Sequence, residues 1–287
     1  MKENKVCIIV DSCSGIRNNE IDDVYVVPLS IIEKTSHGET VYKDLEEITP
    51  EDVIKKTAEN ADLKTSQTSF GEMITIFEAL TPKYQKIFVL PISRGLSGSY
   101  NTWNMAKEEF PKNEIIILDG CDLSHGIKDM VLDIKEMISK NKNDSEIIEY
   151  VEDHKRRRLG ILIVNDLTQL KKGGRINSFK AFIAKTLKLN ILIEFNGSLN
   201  FFGKDTSMDK AIEKALNKIN EETHYAKNGI KRGYIYSTYL DKEFNDSIRK
   251  KVSEKVNFEL SLDYVPAVIA VHTGAKTFAI YIESKKY

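Results

Sequence analysis

The chain has 287 residues, 41% hydrophobic and 30% charged, and its 42 basic and 43 acidic side chains leave a net charge of -1. That is an ordinary globular balance, with a length that suits one large domain or two ordinary ones. Near-neutrality argues against a nucleic-acid binder, which would usually carry a basic domain.

The first residues, Met1-Lys2-Glu3-Asn4-Lys5, run straight into a strand and lack the apolar core of a signal peptide. No stretch approaches the ~20 apolar residues of a membrane span, so no transmembrane segment is expected. Val6–Val10, Val24–Leu29, Lys86–Pro91 and Ile115–Leu118 are near-continuously apolar, as buried parallel strands are. Between them lie helical patterns. One opens at Thr49-Pro50, with Thr49 as N-cap. A second runs from Ser69 to Leu80, with Phe70, Met73, Ile74 and Phe77 at helical spacing. Ser97–Phe110, Ser124–Lys140 and Asp144–His154 follow. This alternation predicts βαβ units and a mostly parallel sheet flanked by helices. The basic run Lys155-Arg156-Arg157-Arg158 is expected as a solvated helix end.

The pattern then changes. Gly160–Val164 is a predicted strand, and Leu189–Phe195, Asn196-Gly197 and Ser198–Phe202 form a hairpin, since Asn-Gly suits a type I′ turn. A helix at Thr206–Asn220, a strand at Lys231–Ser237 and a helix at Lys242–Val256 follow. Three last strands are expected at Glu259–Tyr264, Ala267–His272 and Thr277–Ile282. The fold class is therefore α/β: a parallel α/β domain over residues 1–158, then an α+β domain over 159–287 with a mixed or antiparallel sheet. The three cysteines, Cys7, Cys13 and Cys121, lack zinc-like spacing and fit a reducing, cytoplasmic setting.

Five small-polar segments sit at element ends. Asp11-Ser12-Cys13-Ser14-Gly15 follows the first strand, where open α/β sheets bind ligands. It is not a dinucleotide loop, and a plain βα turn is the simpler reading. Thr65-Ser66-Gln67-Thr68-Ser69 precedes a helix; Ser69 with Glu72 makes a capping box, and the remaining hydroxyls are free to bind an anion. Ser93-Arg94-Gly95-Leu96-Ser97-Gly98-Ser99 offers caps, ligand contacts or, with Ser97, a nucleophile; Gly98 follows Ser97 at once, unlike a hydrolase elbow. Lys171-Lys172-Gly173-Gly174-Arg175 is either a helix C-cap or a guanidinium poised for a carboxylate. His272, before Thr273-Gly274, is structural or functional. Together they suit an anionic head group and supply no evident metal site, cofactor site or nucleophile–base pair.

The order of these segments resembles the DegV family. Thr65-Ser66-Gln67-Thr68-Ser69 is similar to T-S-Q-P-S, Leu96-Ser97-Gly98-Ser99-Tyr100 to L-S-G-T-Y, and Asp166-Leu167 through Leu170-Lys171-Lys172-Gly173-Gly174-Arg175-Ile176 to D-L-x-x-L-x-x-G-G-R-I. His272-Thr273-Gly274 is similar to the start of H-x-G-P-G. The resemblance spans the chain. It implies a carrier that buries a long-chain fatty acid in an interdomain tunnel and presents the carboxylate to a separate fatty acid kinase for acyl-phosphate formation. It implies Thr65 and Ser97 as carboxylate ligands, with Ser66, Gly98, Arg175 and His272 nearby. The helix faces Phe70/Met73/Ile74/Phe77 and Phe179/Phe182/Ile183/Leu187 are expected either to line that tunnel or to be ordinary core. The chain departs from the family at Thr68, Gly120, Asn190, Asp205 and Ala275-Lys276. The alternative is a hydrolase or transferase that acts on a small anion through Ser97 and His272.

Overall fold

A computed structural model describes residues 5–176 and 189–286. The first half alternates strands and helices. In chain order come β1 (Val6–Asp11), β2 (Val24–Val27), β3 (Ser30–Thr35), β4 (Gly38–Lys43), α1 (Pro50–Ala58), β5 (Asp62–Ser66), α2 (Phe70–Leu80), β6 (Lys86–Leu90), α3 (Ser99–Glu108), β7 (Glu114–Ile117), α4 (His125–Ser139) and α5 (Asp144–Arg157). The second half holds β8 (Arg158–Val164), α6 (Thr168–Lys172), β9 (Asn190–Phe195), β10 (Leu199–Asp205), α7 (Met208–Thr223), α8 (Tyr225–Asn228), β11 (Ile230–Ser237), α9 (Lys242–Val256), β12 (Ser261–Tyr264), α10 (Ala267–Thr273) and β13 (Thr277–Ser284).

Three sheets result. The order β2-β1-β6-β7 is parallel throughout. Each of its central strands is buried on both faces, which is why their sequences are uniformly apolar. Cys7 and Ile9 of β1 pack with Phe77 and Trp103, whose rings meet edge-on at 5.3 Å, while Ile8 and Val10 join the core under α4. The caps read from sequence form: Thr49 and Ser69 each accept a bond from the third residue of their helix in a full capping box. Met73 and Phe77 of α2 are therefore ordinary core against this sheet, Phe70 is exposed, and none of the three lines the central cavity. The stretch Phe179–Leu187 lies outside the described residues.

A small antiparallel sheet, β4-β3-β5, was not anticipated from residues 30–43. Its strands are short and half polar, so periodicity alone does not separate them from loop. It places Thr65 on a strand rather than in a loop.

The six-stranded sheet runs β10-β9-β8-β13-β11-β12, antiparallel except for the β11–β12 pair. Leu159, Ile161 and Ile163 of β8 and Phe278, Ile280 and Ile282 of β13 face α7 and α9. The alternate residues, Arg158, Gly160 and Leu162 with Thr277, Ala279, Tyr281 and Glu283, face the first half of the chain, as a period of two requires. Ridges on that face follow from register. One row is Phe195, Gly160, Tyr281 and Tyr234, and the next is Arg158, Glu283 and Arg232. The hairpin forms, but not through a type I′ turn. Its loop has three residues, 196–198, of which only Gly197 has a positive φ, 101°, whereas type I′ needs two. Gly197 seats on the loop after β6: Ser93 Oγ donates to Gly197 O at 2.5 Å, and a Cβ on Gly95 would come within 2.2 Å of that same oxygen.

Two further expectations are corrected. Residues 267–272 form helix α10, not a strand. A short apolar run such as Ala-Val-Ile-Ala-Val has no decisive period, and packing against α1 and β5 selects the helix. The basic run is not a solvated helix end. Lys155 and Arg156 remain at least partly exposed, but Arg157 and Arg158 are 4% and 2% exposed. Arg158 lies 3.2 Å from Asp122 and donates to the carbonyls of Phe195 and Cys121. Arg157 donates to Glu283 at 2.7 Å. His154 Nε2 lies 3.0 Å from Asp122, and Tyr281 donates to the same oxygen at 2.8 Å. Burial alone would raise the Glu283 carboxyl, but His154, whose Nδ1 lies 3.6 Å away, and the charges of Lys231 and Arg232 hold it at about 2. Opposite charges thus compensate one another in the dry layer between α4, α5 and the six-stranded sheet.

Candidate functional site

The small antiparallel sheet, the six-stranded sheet, α10 and the loops after β2 and β6 surround an apolar cavity of about 1180 Å³, a volume that includes the open space at its mouth. Its floor is the inner face of the six-stranded sheet, with Gly160, Leu162, Phe195, Ala279 and Tyr281. Leu29, Ile92 and Leu123 come from the first half, and Val268 and Ile269 from α10. All six residues singled out in the sequence, Thr65, Ser66, Ser97, Gly98, Arg175 and His272, lie on its wall.

Different elements deliver them. β5 carries Thr65 and Ser66. The loop between β6 and α3 carries Ser97 and Gly98 beyond the carboxyl end of a parallel strand, where open α/β sheets place ligands. Arg175 follows α6, whose C-cap is Gly173 with Gly174 at φ 72° beyond it, as the lysine-glycine pattern implied. His272 is on the last turn of α10, and not at a strand end as read from sequence. The helical course turns its ring toward β5, and Thr65 Oγ1 and His272 Nε2 lie 2.8 Å apart. Ser97 Oγ is 3.0 Å from Ser99 Oγ and accepts from the Ser99 amide. Ser97 thus supports the turn into α3, whose N-cap position Gly98 has no side-chain cap bond. The hydrogen-bond partner of His272 is Thr65 and that of Ser97 is Ser99, so a Ser97–His272 nucleophile–base pair is not formed.

Electrostatics set the character of this end. Burial and the Arg175 charge push the His272 imidazole down to about 3, so it is neutral at physiological pH. The Arg175 guanidinium donates to Gly173 O at 2.5 Å and to Leu96 O at 3.5 Å, and among the described residues it has no ion-pair partner. Burial alone lowers its pKa from 12.5. A partly buried cation among hydroxyls, beside apolar walls, is suited to a monoanionic head group with a hydrocarbon body.

Gly173 makes the imidazole position possible. A Cβ there would stand 2.1 Å from His272 Nδ1 and 2.9 Å from Cε1. Gly173→Ala is expected to displace the ring, break the Thr65 bond and lower stability by about 1–3 kcal/mol, the usual result of overpacking. Chemical denaturation, with the His272 ring shifts followed by NMR, checks this; an unmoved imidazole would contradict it.

The Asp11–Gly15 segment is not on the cavity wall. Asp11 accepts the Cys13 and Ile92 amides, and Ser12 donates to Asp44 at 2.6 Å while accepting the Leu29 amide. It is a structural βα turn that braces the loop leading to Ser97. The sequence reading missed the aromatic and aliphatic floor: Phe195, Tyr236 and Tyr281 are strand residues whose facing depends on cross-strand register. Among the described residues, no helix is long and apolar enough to cross a membrane.

An α/β chain with a parallel sheet, a small antiparallel sheet and a mixed six-stranded sheet around one polar-ended cavity is a defined class of fold. The family model described as "Uncharacterised protein, DegV family" matches residues 5–285. The chain belongs to the DegV family. A DegV domain-containing protein of Mycoplasma genitalium is 33% identical, covering 96% of this chain and 97% of that one. Among solved structures, a fatty-acid-binding DegV family protein from Thermus thermophilus superposes with a TM-score of 0.83 at 28% identity, covering 97% of this chain and 99% of the other. A stearic acid-binding protein from Eubacterium ventriosum shares the fold, with a TM-score of 0.84 at 21% identity over 98% of this chain and 99% of that one.

Proposed function

We propose that this chain binds a long-chain fatty acid, with the carboxylate held by Thr65 and Ser97 and the acyl chain laid along the cavity floor. Arg175 lends its charge to the head group, with Ser66, Gly98 and neutral His272 beside it. The observation that carries the reading is a guanidinium with no carboxylate partner among the described residues, set with hydroxyls and apolar walls in one cavity. Each buried CH₂ contributes about 0.8 kcal/mol, so a long chain supplies most of the affinity, while the head-group bonds offset the desolvation of a carboxylate. The fatty-acid-binding relative from Thermus thermophilus supports the same reading.

The protein acts as a carrier without chemistry of its own, in the cytoplasm, where its unpaired cysteines fit a reducing setting. It presents the carboxylate to a fatty acid kinase for acyl-phosphate formation and lipid synthesis. Two domains, 1–158 and 159–287, enclose the ligand; the parallel and the small sheets are built before residue 158, and the six-stranded sheet from Arg158 onward. Native mass spectrometry of the purified protein, before and after adding fatty acid, tests the central claim. A mass increment of one long-chain fatty acid is expected. A protein that stays empty with fatty acid in excess overturns it.

Because His272 titrates at about 3 in the folded protein, its charge does not change across neutral pH. Affinity for a fatty acid is therefore expected to stay level as pH falls from about 8 through the ordinary histidine value of about 6.5. Titration calorimetry at several pH values checks this, and a steep gain near that value would mean a charged imidazole at the head group.

A further inference from the structure

Thr65 and Ser97 reach the cavity from different sheets. Thr65 is on β5 of the small antiparallel sheet, and Ser97 is in the loop after β6 of the parallel one. Among the described residues no strand pairing joins those two sheets, so no backbone ladder sets the distance between the two hydroxyls. A side chain crosses the gap instead. Gln67, one residue past β5, is half-buried on the cavity wall. Its Nε2 donates to Thr102 Oγ1 on α3 at 2.8 Å, and Thr102 Oγ1 donates to Gly98 O at 3.3 Å. A threonine has one hydroxyl proton, and Thr102 gives it to Gly98, so the Gln67 nitrogen and not its oxygen faces Thr102. The relay runs from the end of β5 to the residue that follows Ser97.

The oxygen of the same amide makes a second contact. A Cβ on Gly98 would stand 2.9 Å from Gln67 Oε1 and 3.9 Å from its Cδ. Gly98 itself has φ −71° and ψ −7°, a right-handed helical conformation open to any residue. Its backbone does not call for glycine; the bare Cα leaves room for the Gln67 amide against the start of α3. Gln67 is thus hydrogen-bonded at its nitrogen and packed at its oxygen, both against the segment that carries Ser97. On its other side it continues from Thr65 and Ser66. A side chain held at both ends in this way loses its freedom before any ligand arrives, which is the condition for a preorganised site.

We propose that Gln67 is a positioning residue of the carboxylate site: with Thr102 it fixes the gap between Thr65 and Ser97, so that the two hydroxyls match the two oxygens of one carboxylate. The proposal rests on the fatty-acid reading and adds to it a residue and a specificity. A carboxylate meets both hydroxyls at once and gains from a fixed gap. A fatty alcohol has a single oxygen, meets one hydroxyl, and gains nothing from it. Gln67 therefore acts through Thr65 and Ser97, and its effect is confined to lipids whose head has two oxygens. Thr102 does not line the cavity, so it influences the head group only through Gln67 and Gly98.

The test measures binding of myristate and of tetradecanol, by titration calorimetry, to the wild-type protein, Gln67→Met, Thr102→Val and the double variant. Gln67→Met keeps the length of the side chain and removes its amide; Thr102→Val keeps the shape and removes the hydroxyl. Each single variant is expected to bind myristate roughly three- to tenfold more weakly than wild type, about the worth of one hydrogen bond, and tetradecanol as wild type does. The double variant is expected to be no weaker than the singles, because both break the same relay. Myristate affinity unchanged in folded Thr102→Val overturns the proposal and leaves the fatty-acid reading intact. A loss of equal size for myristate and tetradecanol also overturns it, since that is what a merely structural role would give. If wild type does not bind myristate, both readings fail. Thr102→Val decides where Gln67→Met does not fold.

Discussion

Arg158→Ala is expected to lower the free energy of unfolding by about 3–5 kcal/mol, the range for removing one partner of a buried ion pair. That is a large share of the roughly 5–15 kcal/mol that holds a typical domain folded. The reason lies in what remains. Asp122 is fully buried, and burial alone would raise its carboxyl; the Arg158 charge is the largest influence that opposes this and keeps it below the ordinary range, with His154 and Tyr281 assisting. Without the guanidinium, the carbonyls of Phe195 and Cys121 also lose their donor. Those two carbonyls belong to the six-stranded sheet and to the loop after β7, so the variant loosens the joint between the halves of the chain. Urea denaturation should show the drop for Arg158→Ala. Arg156→Ala, at an exposed position two residues earlier, should stay within about 0.5 kcal/mol of wild type. Equal effects at the two positions would mean that the run is solvated after all.

The second large effect belongs to the head group. The double variant Thr65→Val, Ser97→Ala is expected to weaken fatty-acid binding at least about a hundredfold. Hydrogen bonds to a charged acceptor are worth about 1.5–3 kcal/mol each, and about 2.7 kcal/mol is a hundredfold. Both side chains also hold local bonds, Thr65 to His272 and Ser97 to the Ser99 amide, so the ligand-free double variant is expected to lose about 1–3 kcal/mol of stability while staying folded. Thr65→Val also frees His272 from its bond, which the single variants separate from the loss of the ligand contact itself. Affinity that is unchanged in a folded double variant would remove both residues from the head group, and Arg175 would then be the side chain to test.

Much of the architecture was legible because its cause is local. The strands of the parallel sheet are apolar on both faces, and the helices between them carry their own caps at Thr49 and Ser69. The six head-group candidates were legible for a related reason: hydroxyls, glycines and one arginine at element ends are unusual compositions wherever the chain leads. What stayed illegible involves facing and burial. Nothing within Lys155–Arg158 distinguishes Arg156, which is solvated, from Arg158, which is among the most buried side chains in the protein. The difference comes from Asp122, 36 residues earlier, arriving on the same side of the sheet.

By itself, then, the sequence determined the α/β class, most helix starts and the identity of the polar residues around the cavity, since each depends on the chemistry of a few neighbouring residues. Tertiary structure alone decided the rest. It made 267–273 a helix, so that His272 turns to Thr65, and it set the cross-strand register that puts Gly160, Ala279 and Tyr236 on the cavity floor. It also placed charges far apart in the chain into one compensated layer. These are outcomes of long-range pairing, in which each residue's environment is supplied by segments remote in sequence, and so no window of the chain contains them.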